Sequence, residues 1–70
     1  MEKYDYSKLR GKIREIFHTE RAFSNALGLS KASLSAKLNG HVEFTQSEII
    51  KAALILYIPK ESIADYFFRK

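Results

Sequence analysis

The side chains able to act as nucleophiles or bases are scattered through these 70 residues. Ser7, Ser33 and Ser35 have no histidine and carboxylate arranged with them as a nucleophile would need. Glu15 and Glu20 fall on different predicted helices, so they do not form an acid–base pair. His41 lies in a loop with no second ligand at metal spacing. His18 falls at the end of a predicted helix, where a cation suits the helix dipole. There is no cysteine, hence no disulfide framework and no thiolate metal site. No enzyme, metal or cofactor is expected. What remains is binding chemistry. Arg10, Arg14, Lys31 and Lys37 can donate to phosphate oxygens or base edges, and small polar residues surround the two lysines.

Those side chains need rigid elements to hold them, and the clearest pair runs from Thr19 to Gly40. Thr19 is a good N-cap because its hydroxyl oxygen can accept from an orphan backbone N–H. Ala22, Phe23, Ala26 and Leu27 follow at helical spacing. Gly28 stands just past the last apolar residue, where a left-handed backbone suits glycine. Leu29 plugs the angle, Ser30 caps a second helix, and Leu34 and Leu38 give that helix a narrow apolar stripe ended by Asn39-Gly40. Two short helices joined by a tight turn containing glycine make a helix-turn-helix unit.

The remaining elements are read the same way. Residues 1–6 read as a short polar and aromatic arm, and Asp5 or Ser7 can cap a first helix over about Ser7–Phe17. Leu9, Ile13, Ile16 and Phe17 form its inner face. Gly11 sits inside that helix at a cost of about 1 kcal/mol, for which close packing of a neighbouring helix is the expected reason. Thr45-Gln46-Ser47-Glu48 is a capping box. It opens a helix to about Tyr57 with Ile49, Ile50, Ala53, Leu54 and Tyr57 on one face. Phe44 is a plug in the preceding loop. Ile58-Pro59 stops the helix, and a last one covers about Lys60–Phe67. No period-two alternation marks a strand. The expectation is an all-α domain of five helices spanning residues 1–70.

Composition agrees with one small globular domain. Apolar residues make 46% and charged residues 29%, a folded balance. No apolar run approaches the ~18 residues of a membrane span, and the first residues form no secretory core. A cytoplasmic location follows as an expectation. The net charge is +4, and it is one-sided. Residues 1–37 hold eight Lys and Arg against four Asp and Glu, whereas residues 38–70 hold four of each. An uneven basic field of this sort is the footprint of a polyanion binder.

The unit Thr19–Gly40, with one helix before it and two after, resembles the lambda-repressor-like, Cro/C1-type helix-turn-helix family. The phrases Y-D-Y-S-K-L-R-G-K-I and F-T-Q-S-E-I-I-K-A, with Y-F-F near the end, are similar to short regulators of phages of Gram-positive bacteria. Those include repressors, Cro-like proteins and modulators of repression. The resemblance implies that a recognition helix at about residues 30–39 enters the major groove of double-stranded operator DNA. On it Lys31, Ala32 and Ala36 would face bases. Ser33, Lys37 and Asn39 would face phosphates, together with Thr19 and Glu20 at one helix start and Thr45 and Gln46 at another. Lys31 would be the largest specificity contribution, about 1–3 kcal/mol. A homodimer on DNA is expected, with Ile55, Leu56, Tyr66 and Phe68 as its surface.

Three departures from that family's pattern stand out. Glu20 stands where glutamine is usual, and a carboxylate repels a phosphate. Lys37 stands where many members carry an apolar core residue. The loop His41-Val42-Glu43 lacks the usual arginine or lysine. The first and third weaken the case for DNA, whereas the second could add to DNA affinity. Glu20, the acid in the loop and the surplus apolar residues near the C-terminus motivate an alternative: a protein-interaction modulator that binds a partner repressor and alters its DNA binding.

Overall fold

The computed structural model describes residues 4–70. Among them the chain is all-helical: α1 (Ser7–Phe17), α2 (Glu20–Leu27), α3 (Lys31–Leu38), α4 (Gln46–Ile55) and α5 (Ile63–Phe67), with a 3-10 turn at Lys60–Ser62 before α5. The predicted last helix is thus split in two. Caps set the boundaries. The Thr19 hydroxyl accepts from the Ala22 N–H, and the Ser30 hydroxyl accepts from the Ser33 N–H. At α1 Asp5 performs this role, accepting from both the N–H and the hydroxyl of Ser7. The α2 end wraps onto Gly28 at φ +85°, where the Leu29 N–H reaches back to the Ser24 carbonyl.

One apolar cluster fills the space between the helices. Leu9, Ile13, Phe23, Leu34, Leu56 and Phe67 are sealed from solvent at its centre. The expected N-terminal arm is corrected by this cluster. Its first three residues lie outside the described ones, but Tyr6 is buried and Tyr4 packs against the core. The Tyr6 ring meets Phe44 edge-on at 5.5 Å, and Phe44 meets Phe67 at 5.4 Å. The Asp5 N–H also bonds the Arg69 carbonyl, and Lys8 pairs with Asp65. An aromatic arm free in water would forgo this burial, worth about 1.5–3 kcal/mol for a large apolar side chain.

Helix α4 is rotated from its expected orientation. Ile49, Ala52, Ala53 and Leu56 face the core, whereas Ile50, Leu54 and Tyr57 are exposed at 60%, 71% and 78%. Both sets share the same helical spacing. The two alanines turn inward where α4 packs against α2, and the larger side chains are left outside.

Gly11 does not mediate a close approach. A methyl group built there would touch nothing within 4 Å. Gly11→Ala should therefore raise stability by about 1 kcal/mol. Urea unfolding of the two proteins checks this, and an unchanged or lower midpoint would contradict it.

Candidate functional site

The starts of α2 and α4 and the whole outer face of α3 hold the residues expected to contact a partner. Lys31, Ala32 and Ser33 are exposed on the first turn of α3. Lys31 helps to line an open cleft of about 270 Å³, together with Arg10, Arg14, His18, Thr19 and Glu20. Lys31 and Arg14 have no ion pair among the described residues. His18 ends α1 at φ +71°, its N–H bonded to the Arg14 carbonyl, which places the ring at the helix terminus as expected.

Several of the other candidates are already engaged. Arg10 spans the three helices, donating to Glu20 at 3.0 Å, to the Leu38 carbonyl at 3.2 Å and to the Asn39 side-chain oxygen at 3.0 Å. The Asn39 amide also donates to the Ser35 hydroxyl at 3.3 Å. Glu20 is thereby neutralised by a neighbour inside the chain. Thr45 and Gln46 are exposed. The Thr45 N–H donates to the Glu48 carboxylate at 2.9 Å, and its hydroxyl oxygen accepts from the Glu48 N–H at 3.2 Å. The capping box thus uses a backbone donor assigned to a phosphate by the resemblance.

Lys37 requires a plain correction. It was expected on the phosphate-facing surface, yet it is only 7% exposed. Its ammonium donates to the Glu43 carbonyl at 3.0 Å, pairs with Glu48 at 3.0 Å and lies over the Phe44 ring. The side chain fills a core position, and its charge is cancelled internally.

The outer face of α3 is left with little polar vocabulary. Ala32, Ser33 and Ala36 join Val42 and the Lys37 stem around a shallow, largely apolar hollow of about 300 Å³. Val42 is half exposed and was not singled out from the sequence, where a lone valine in a polar loop carries no signal.

The expected C-terminal surface is also revised. Leu56 is sealed in the core because it falls on the inward face of α4. Ile55 and Tyr66 are half-buried, with the Lys8 ammonium over the Tyr66 ring. Phe68 is half exposed and rests edge-on against Tyr4.

Burial tends to raise the Glu48 carboxyl pKa, but the Thr45 N–H, the Lys37 ammonium and the Thr45 side chain outweigh it and hold the group below its ordinary value of 4.5. A depressed folded pKa contributes stability above the unfolded value, and that stability is lost as the pH falls through the folded value. Lys37→Ala should cost about 1–3 kcal/mol at neutral pH, since it leaves a half-buried carboxylate unpaired. The cost should shrink as the pH falls through the depressed folded value, where Glu48 becomes protonated. Urea titrations of both proteins across that range check the sign, and a cost that grows with acid would contradict it.

Among the described residues no group of His, Cys, Asp and Glu side chains is arranged to hold a metal ion, and no helix is long and apolar enough to cross a membrane. Comparison with curated proteins finds no match. Among solved structures the chain is similar to the modulator of repression of the temperate bacteriophage TP901-1 from Lactococcus lactis. The two are 45% identical, the match covers 93% of this chain and 88% of that one, and the TM-score is 0.82. The profile of the family described as DUF739, protein of unknown function, matches residues 2–70, and the chain belongs to that family.

Proposed function

We propose that this chain is a phage-type modulator of repression that binds a partner repressor and alters its contacts with operator DNA. The observation that carries this reading is the outer face of α3. Major-groove readout requires side chains that donate or accept at base edges. Here Lys37 is turned inward, Asn39 is held by Arg10 and Ser35, and Ala32, Ala36 and Val42 surround an apolar hollow. Such a surface suits a protein better than a base pair. The likeness to the TP901-1 modulator of repression supports the same reading.

A second reading keeps the fold as a direct operator binder of the Cro/C1 helix-turn-helix type. Lys31 and Arg14, unpaired beside the α2 N-terminus, favour it, because a helix start with nearby cations suits a phosphate. In that reading Lys31, Ala32 and Ala36 face bases, and a homodimer sits on the operator.

Fluorescence anisotropy separates the two. The purified chain is titrated against promoter and random duplexes at several salt concentrations, then against the repressor of its own phage with and without operator DNA. The expected result is weak, unselective DNA binding and a saturable protein complex that changes the repressor's operator affinity. Tight binding to one duplex, with a log–log salt slope near about −4 to −5 and loss in Lys31→Ala, would establish the second reading instead.

A further inference from the structure

The fold brings basic side chains from separate stretches of the chain to one cleft. Arg14 comes from the last turn of α1, His18 from the turn after it and Lys31 from the first turn of α3, and all three are exposed. Arg10 borders the same cleft with Glu20, the one carboxylate in its lining. Those two satisfy each other at 3.0 Å, so that acid is taken. Arg14 and Lys31 have no ion pair among the described residues. Both charges therefore face about 270 Å³ of open space with no counter-charge of their own. Like charges gathered around one concave site raise the local potential and favour an anion there.

The attraction comes from side chains rather than from the nearby helix start, where the Thr19 hydroxyl already accepts from the Ala22 N–H. Arg14 offers a planar fork that fits a carboxylate with two parallel hydrogen bonds. Lys31 adds a compact ammonium, and the His18 ring can donate an N–H.

Two features favour a protein carboxylate over a phosphate of duplex DNA. A helix seated in the major groove has a sugar–phosphate strand on either side and needs donors for both. Around α3 the free positive charge stands at one end only. Lys37 is turned inward, Asn39 is held by Arg10 and Ser35, and the loop 41–43 adds no lysine or arginine but the exposed Glu43. Next to Lys31, moreover, the surface runs into the apolar hollow at Ala32, Ala36 and Val42. A carboxylate beside an aliphatic side chain matches that order. A phosphate strand, charged at every step, does not.

We infer that the cleft between α1 and the start of α3 is the receptor for an acidic side chain of the partner repressor, held by Arg14, His18 and Lys31 while a neighbouring aliphatic side chain enters the α3 hollow. This rests on the modulator reading above and deepens it by naming the charged half of the same surface and the group it takes.

Isothermal titration calorimetry of the full chain with the repressor of its own phage tests this. Arg14→Glu and Lys31→Glu are compared with wild type, with Lys60→Glu, which makes the same charge change outside the cleft, and with Ala36→Glu in the hollow. Far-UV circular dichroism and thermal melts verify that each variant folds. Arg14→Glu and Lys31→Glu should each weaken binding by about tenfold or more, Ala36→Glu should weaken it as well, and Lys60→Glu should stay within about twofold. In a set of repressor variants with each exposed acidic residue changed to lysine, one should bind Lys31→Glu more tightly than it binds wild type, a swap that a purely structural role would not give. Equal losses in all three lysine and arginine variants would reduce the effect to long-range attraction and overturn the cleft. Loss in Ala36→Glu with none in Arg14→Glu or Lys31→Glu would overturn the cleft and leave the modulator reading standing. No wild-type complex with the repressor would overturn both, and tight binding to a promoter duplex that is lost in Lys31→Glu would then assign the cleft to a phosphate.

Discussion

The guanidinium of Arg10 is the joint on which the first three helices depend. From the middle of α1 it reaches a carboxylate at the start of α2 and a carbonyl and an amide oxygen at the end of α3. A planar fork of donors can satisfy these acceptors together, which a lysine ammonium would do without the same directionality. The consequence for function is direct. Glu20, which alone would repel a phosphate, has its charge balanced inside the chain, and Asn39 is fixed in place as part of the scaffold. The angle between α2 and α3 is thus reinforced by a polar clamp on the outside as well as by Phe23 and Leu34 on the inside.

A second internal ion pair governs what α4 shows to solvent. Lys37 crosses from α3 to Glu48, and Glu48 also closes the capping box with Thr45. Such a pair fixes the start of α4 in both position and rotation. With that start fixed, Ala52 and Ala53 face the core, and Ile50 and Leu54 must face outward. One lysine turned inward on one helix therefore bears on which apolar ridge is available on the next. The two events reduce the polar character of the α3 face and leave an apolar face on α4.

Much of this was legible in the sequence wherever the deciding contacts are local. The α1 limits, the caps at Thr19 and Ser30, the Thr45–Glu48 box and the glycine turn at Gly28 involve residues only a few positions apart, so the sequence pattern contains both partners. The rotation of α4 was not legible. The predicted face, Ile49, Ile50, Ala53, Leu54 and Tyr57, shares Ile49 and Ala53 with the buried set, and Ile50, Leu54 and Tyr57 keep a spacing that a helix face also allows. The choice is made by α2 and Glu48, which periodicity within α4 does not register. Lys37 was misread for a related reason: its partners lie in the next loop and helix, and a lysine at a helix end ordinarily points to water. Tyr6 was read as part of a short polar and aromatic arm because its partner Phe44, and Phe67 beyond it, lie far along the chain.

The contact between the two ends of the chain has a consequence for how the protein is made. Tyr6 and Leu9 belong to the same buried cluster as Phe67, Asp5 bonds Arg69, and Lys8 pairs with Asp65. A nascent chain holds its first helix without these partners until residues 65–69 have also emerged from the ribosome. The α2–α3 pair and its turn, by contrast, are built from neighbours and can associate as soon as they emerge. Synthesis thus assembles the centre of the sequence first and closes the two ends last. Loss of residues 65–69 would open the aromatic cluster around Tyr6 well before it disturbed α3.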